Sequence, residues 1–383
     1  MKPLNSVIAA CPPSGIRRFF DIAAEMDDVI SLGVGEPDFV TPWRIREAGI
    51  YALEHGYTTY TSNAGLPRLR ELICADLATR YGASYDPAEE CLITTGVSEG
   101  LDLVLRVLLN PGDEVLVPEP CYVAYEPCVG FAGGTPVRVP TRGDQNFAID
   151  PDVLAAAITP NTKAILIGSP ANPTGAVQPR AVLEALVRLA QEHDLYLISD
   201  EIYDRLTYDG VHTCLGTLAR DRTVLLGGFS KAYAMTGWRV GWICAPAAVT
   251  ELCVRVHQYT MLCAPHVSQL AAVEALSAPD DDVEAMVADY DRRRRVFVKG
   301  LREIGLDCPE PGGAFYAFPS IRSSGLDSET FAERLLHAES VAVVPGNVFG
   351  PSGEGHIRCS YATALPQLEE ALVRMDRFLS TLG

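Results

Sequence analysis

Residues 223–241 read TVLLGGFSKAYAMTGWRVG. Thr223-Val224-Leu225-Leu226 is an apolar run of strand length, and Lys231 follows where a chain leaves its sheet. The sequence holds four lysines, Lys2, Lys163, Lys231 and Lys299, against twenty-seven arginines, so an amine doing covalent chemistry has few candidates. A lysine near a second cation and partly shielded from water has a lowered pKa, which makes it a usable nucleophile and base. Arg239, eight residues on, offers either that cation or an anchor for a phosphate.

Outward from this stretch, apolar strands alternate with helical patterns. The strand candidates are Cys91 to Thr95, Glu114 to Val117, Pro136 to Val139, Lys163 to Gly168, Tyr196 to Ser199, Thr223 to Gly227 and Arg239 to Ile243. Helical stretches lie between most of them, notably Ser98 to Leu109 and Arg180 to Glu192. The pattern predicts an α/β fold, a mainly parallel seven-stranded sheet with helices on both faces, over residues 46–280. Asp280-Asp281-Asp282 then opens a helix that runs through Arg302 and includes Arg292 to Arg295. The acidic neighbours Asp289 and Asp291 make that basic run a solvated helix face rather than a nucleic-acid site. Residues 281–383 mix short strands and helices and read as a smaller α+β domain. Residues 1–45, irregular and rich in Pro and Gly, are expected to wrap over another part of the chain rather than fold alone, and to join that smaller domain.

The 383 residues exceed what one core usually supports, which agrees with two domains. A chain with 48% hydrophobic and 21% charged residues is an ordinary globule, and its net charge of -18 argues against nucleic acid or an anionic membrane as partner. Small anions remain possible, because local arginines bind them whatever the total charge. Eleven cysteines without a C-x-x-C pair fit neither a disulfide framework nor a zinc site, and imply free thiols in a reducing cytoplasm. Seven histidines form no H-E-x-x-H set, so no metal is expected. The N-terminus does not read as a signal peptide, and no apolar run approaches the roughly 18 residues of a membrane span.

In open α/β sheets ligands bind beyond the carboxyl ends of the strands, and four such ends carry chemistry. Gly96-Val97-Ser98 leads into a helix whose N-terminus suits a phosphate, although the same turn also serves as a plain cap. Ser169-Pro170-Ala171-Asn172-Pro173 is either a turn or the source of an amide. Asp200 ends an apolar strand and needs a cation or donor, either a helix-capping N–H or a protonated ring nitrogen. Lys231 is the fourth. A phosphate cradle, an amide, an aspartate and a lysine at one edge together suggest pyridoxal phosphate, which needs an amine anchor, a carboxylate at its ring nitrogen and a phosphate site.

The sequence resembles the class I aminotransferases of pyridoxal-phosphate fold type I along essentially its whole length. The motifs are GEPDF at 35–39, YTSNAG at 60–65, PANPTG at 170–175, SDEIY at 199–203, SKAYAMTGWRVG at 230–241, GGAFY at 312–316 and HIRCSY at 356–361. The resemblance implies that Lys231 anchors the cofactor and shuttles the substrate α-proton, and that Asp200 pairs with the ring nitrogen. Asn172 and Tyr203 would bond the phenolic oxygen, and Gly96, Val97, Ser98, Ser230 and Arg239 the phosphate. Tyr122 would stack on the ring, with Tyr125 as the nearby aromatic alternative. Arg358, helped by the Gly35 backbone, would take the substrate α-carboxylate. Tyr60 would reach the phosphate of the neighbouring subunit, which implies a homodimer with shared sites.

Two positions depart from the family pattern. Gly228 stands where many members have a serine touching the phosphate, and Val97 where a small residue is usual. GGAFY in place of a single-glycine form is expected to affect only a turn. The resemblance implies ping-pong amino transfer from an L-amino acid to a 2-oxo acid, most often 2-oxoglutarate. Its nearest pattern is that of aromatic or N-acetyl-diaminopimelate aminotransferases, with aspartate as another donor. A β-lyase acting on cysteine-like substrates is the alternative, since a fold does not fix a reaction. A DNA-binding regulator built on this fold would need a basic added domain.

Overall fold

The computed structural model describes residues 2–13, 15, 26 and 28–382. Its strands are β1 (Ile30–Ser31), β2 (Cys91–Thr94), β3 (Glu114–Glu119), β4 (Thr135–Pro140), β5 (Thr162–Gly168), β6 (Tyr196–Asp200), β7 (Thr223–Gly228), β8 (Gly241–Cys244), β9 (Tyr316–Ala317), β10 (Val341–Ala342), β11 (Val344–Pro345) and β12 (Ile357–Ser360). Seven of them form one sheet in the order β2-β8-β7-β6-β5-β3-β4. Every predicted strand is present, and pairing is parallel except along β8. This is the expected mainly parallel sheet of an α/β fold.

The strands read as unbroken apolar runs because both faces of the sheet are covered. Ile165, Ile167, Leu197 and Leu225 enter one large core. Their neighbours Ala164, Leu166, Ile198, Val224 and Leu226 face a second core on the opposite side. The covering helices bury one stripe each: Arg180–Glu192 buries Leu183, Leu186, Val187 and Ala190, an i, i+3, i+4, i+7 set. Val97–Leu108 starts one residue before its predicted limit, capped by Gly96 in a positive-φ conformation.

Beyond the large sheet, β11-β12-β9 form an antiparallel sheet, and β1 pairs with β10, so an N-terminal segment is tied to the C-terminal third. Part of the irregular N-terminal stretch lies outside the described residues. Within it a short helix spans Ser6–Ala10, and Trp43–Glu54 begins before residue 46. Among the described residues no helix is long and apolar enough to cross a membrane.

The basic run 292–295 corrects the sequence reading in half of its members. Arg292 and Arg295 are solvated, but Arg293 and Arg294 are buried at 7% and 2% exposure on the helix Asp281–Glu303. Arg293 pairs with Asp38 at 2.7 Å and Asp289 at 2.6 Å, and Arg294 with Asp209 and Asp291 at 2.7 Å each. Buried guanidinium groups need such partners. Asp38 and Asp209 are remote in sequence, so no local charge pattern announces them.

Candidate active site

Because β8 runs against its neighbours, its first residue lies at the same edge as the last residues of β2, β5, β6 and β7. That edge opens into a cavity of about 410 Å³. Val97 and Ser98 after β2, Tyr122 and Tyr125 after β3, Asn172 after β5, Asp200 and Tyr203 at the end of β6, and Ser230 and Lys231 after β7 line it. Gly35, Glu36, Thr236, Arg239, Tyr316 and Arg358 also line it, with Leu101, Pro170 and Ile202. All of the sequence-selected site residues except Gly96 and Tyr60 therefore share one cavity.

Arg239 was read as the start of a strand, but the strand begins at Gly241. Arg239 sits in a left-handed turn, φ 54°, and its Nη1 donates to the Thr236 carbonyl at 3.0 Å. Gly96 lies behind it. A Cβ on Gly96 would fall 2.6 Å from Arg239 Nη2, so the missing side chain lets the helix N-terminus and the guanidinium meet.

Lys231 Nζ donates to the Gly35 carbonyl at 2.6 Å and lies 5.7 Å from the ring centres of both Tyr203 and Phe315. Burial, with Arg358 and Arg239 adding to it and Glu36 and Asp200 opposing, lowers its pKa to about 8. Both arginines thus contribute to tuning the amine, as the sequence spacing suggested for Arg239. Asp200 carries the opposite perturbation: burial raises it to about 6, although Tyr125 donates to its Oδ2 at 2.9 Å and Ile202 N to its Oδ1 at 3.2 Å.

Arg358 is 2% exposed on β12. Its Nη1 donates to Asn172 Oδ1 at 2.9 Å and its Nη2 to the Gly33 carbonyl at 2.5 Å, while the Tyr316 ring lies 4.6 Å from its Cζ. Among the described residues its Nε has no partner, and no carboxylate forms an ion pair with Arg358 or with Arg239. Burial lowers the Arg358 pKa. Tyr203 Oη is 2.8 Å from Tyr316 Oη. Burial, followed by Tyr316, holds the Tyr203 phenol well above its ordinary range and keeps its proton in place.

Tyr122 and Tyr125 no longer compete for one role. Their rings meet edge-on at 5.6 Å, and only Tyr125 bonds Asp200. Tyr316, Glu36 and the Gly33 carbonyl were not selected from sequence as members of the site, and Tyr125 was considered only as an alternative for stacking on the ring. Tyr316 and Glu36 lie within the quoted GGAFY and GEPDF motifs and Tyr125 three residues after Tyr122, but nothing local gave the direction of the tyrosine hydroxyls. Gly228 pairs with Gly241 and does not line the cavity, and a Cβ there would meet Gly241 Cα at 3.0 Å. Gly313 is more than a turn residue. A Cβ on it would come within 2.6 Å of Pro170 and 2.7 Å of the Leu206 carbonyl, so it lets this loop pack closely.

Among the described residues, a buried carboxylate with no ion-pair partner, two arginines with no carboxylate partner and a glycine-lined helix start make a site for a group with a cationic ring atom and an anionic tail. The residues present therefore fit pyridoxal phosphate.

The family model for aminotransferase class I and II matches residues 27–375. The chain is 55% identical to a putative aminotransferase, YugH, of Bacillus subtilis, over 98% of both chains. It is 46% identical to the aspartate aminotransferase of Pyrococcus abyssi over 96% of both. The solved aspartate aminotransferase from Thermus thermophilus with maleate superposes with a TM-score of 0.95 at 42% identity, covering 99% of this chain and 100% of that one.

Proposed function

The chain belongs to the class I and II aminotransferases, and on that premise we propose that it moves the amino group of an L-amino acid to 2-oxoglutarate with pyridoxal 5′-phosphate as cofactor. One observation carries the reading: Lys231, Asp200 and Arg358 line a single cavity. When bound, pyridoxal phosphate supplies an electron-withdrawing ring that stabilises the charge left as the substrate Cα–H bond breaks.

Gly96, Val97, Ser98, Ser230 and Arg239 hold the phosphate, and Tyr122 covers the ring. Asp200 pairs with the ring nitrogen; burial holds its pKa at about 6 even with the Lys231 charge opposing, which supports that role because a cation in direct contact would relieve the burial. Asn172 and the protonated Tyr203 bond the phenolic oxygen. Lys231 Nζ anchors the cofactor and takes the proton from the substrate Cα, a task suited to an amine tuned close to neutral pH. Arg358, with the Gly35 backbone, binds the substrate α-carboxylate in a bidentate pair. The cavity contains one such arginine, which supports a ping-pong order in which donor and acceptor take turns on it.

Tyr60 is 79% exposed, and the side chains of Tyr57, Tyr259, Met261 and Leu262 are exposed too; Asn63 Nδ2 donates to the Leu262 carbonyl and so joins the two segments. That surface supports a homodimer in which Tyr60 serves the partner's phosphate site. The eleven free cysteines support a cytoplasmic setting. The seven-stranded sheet within residues 91–244, the three-stranded sheet within 316–360 and the β1-β10 pair support a large domain of 46–280 and a small one of 1–45 with 281–383.

The test is a half-reaction screen, in which amino acids are added singly and the visible absorption of the bound cofactor is followed. The parent enzyme should respond to at least one α-amino acid, and Lys231→Ala should lose turnover by a factor on the order of 10⁴. Multiple-turnover transamination by Lys231→Ala would overturn the reading.

A further inference from the structure

Cys74, Cys91 and Cys244 are far apart in sequence, and in the fold their Sγ atoms all lie within 4.8 Å of one another. The topology brings them together. Antiparallel pairing of β2 with β8 sets Cys91 opposite Cys244, so both side chains leave the same face of the sheet. Cys74 comes from the buried face of the helix Pro67–Tyr81 that covers that face. Their exposures are 6%, 1% and 0%, and the catalytic cavity does not include them.

We propose that Cys74, Cys91 and Cys244 form a trigonal thiolate site for a soft monovalent metal cation of the Cu(I) class. Three sulfurs around one ion at about 2.3 Å lie about 4.0 Å from each other, which fits inside the observed span. Zinc is the weaker fit, because a closed structural zinc site takes four ligands. Among the described residues no fourth Cys, His, Asp or Glu joins the cluster. Thiolate donors select Cu(I), whereas imidazole and carboxylate donors are missing.

Arg70 lies one helical turn before Cys74 on the same helix; its Nη1 donates to the Pro87 carbonyl, and its buried Nε has no partner among the described residues, so one guanidinium stands close to the negative charge that a thiolate site carries. Binding displaces the thiol protons: Cu⁺ + 3 RSH → [Cu(SR)₃]²⁻ + 3 H⁺, with no change of oxidation state.

The experiment treats the holoenzyme, under reducing anaerobic conditions, with Cu(I) supplied as its acetonitrile complex. Loosely held metal is removed with a competing chelator, and copper per chain is measured. Cys253 is buried with no thiol influencing it, so Cys253→Ser is the control. The parent and Cys253→Ser should each retain one copper more than Cys74→Ser and Cys91→Ser do. X-ray absorption on the parent should show three sulfur ligands, which decides the matter even where a variant fails to fold. Equal copper in Cys74→Ser and the parent, or two-sulfur coordination, would overturn the proposal.

Discussion

The Tyr125 hydroxyl donates to Asp200 Oδ2 at 2.9 Å, so the carboxylate at the end of β6 is steadied by the helix that follows β3. Both groups are buried, and this bond is the largest influence opposing the desolvation of Asp200.

Tyr125→Phe should therefore raise the Asp200 pKa above its present value of about 6. A hydrogen bond to a charged group is worth about 1.5–3 kcal/mol, so kcat should fall roughly 10- to 100-fold. The acid limb of the kcat profile should move to higher pH. A parental kcat and an unmoved limb would show that Tyr125 only packs.

Lys231 has its pKa lowered from 10.5 to about 8, first by burial. In cofactor-free enzyme the neutral amine therefore appears as pH rises through about 8. The rate at which added pyridoxal phosphate becomes bound, followed by its visible absorption, should climb through that range and then level. The folded state holds this proton less tightly than the unfolded chain. Lys231 thus weakens the cofactor-free fold below pH 8 and ceases to do so as pH rises toward 10.5. A binding rate that still climbs steeply above pH 10 would mean an unperturbed amine.

Arg358→Lys keeps the charge but loses the planar fork. KM should rise by about tenfold or more for every α-amino acid tested, by similar factors, since each loses the same charge-assisted bond. Steady-state kinetics on several donors checks this, and a selective effect on one donor would contradict an α-carboxylate role.

Arg293 joins Asp38, Asp289 and the Thr363 carbonyl, linking the N-terminal segment, a long helix and the C-terminal region. Arg293→Ala should destabilise the fold by about 3 kcal/mol, because it leaves partly buried carboxylates without their cation. Chemical denaturation measures it. A change within experimental scatter would mean that the pairs are fully solvent-screened.

Much of the site was legible because strand ends announce themselves. Unbroken apolar runs are cut by Gly96, Asn172, Asp200 and Lys231, and a parallel sheet presents such ends at one edge. Arg239 joins them for a reason the pattern did not carry: the strand after it is reversed. Arg293 and Arg294 were misread because a helix face is solvated or covered according to what packs there, and Asp38 and Asp209 come from elsewhere in the chain.

The sequence by itself determined the seven strands, the edge at which chemistry collects and the one lysine placed to do it, since burial on both faces demands apolar runs and polar residues survive only at their ends. Only the tertiary structure decided where side chains aim. It gave Asp200 to the Tyr125 hydroxyl, set Arg358 against Asn172, and gathered Cys74, Cys91 and Cys244 around one point. Those relationships depend on the packing of segments up to 186 residues apart, and hydrogen-bond direction and thiol proximity are properties of that packing.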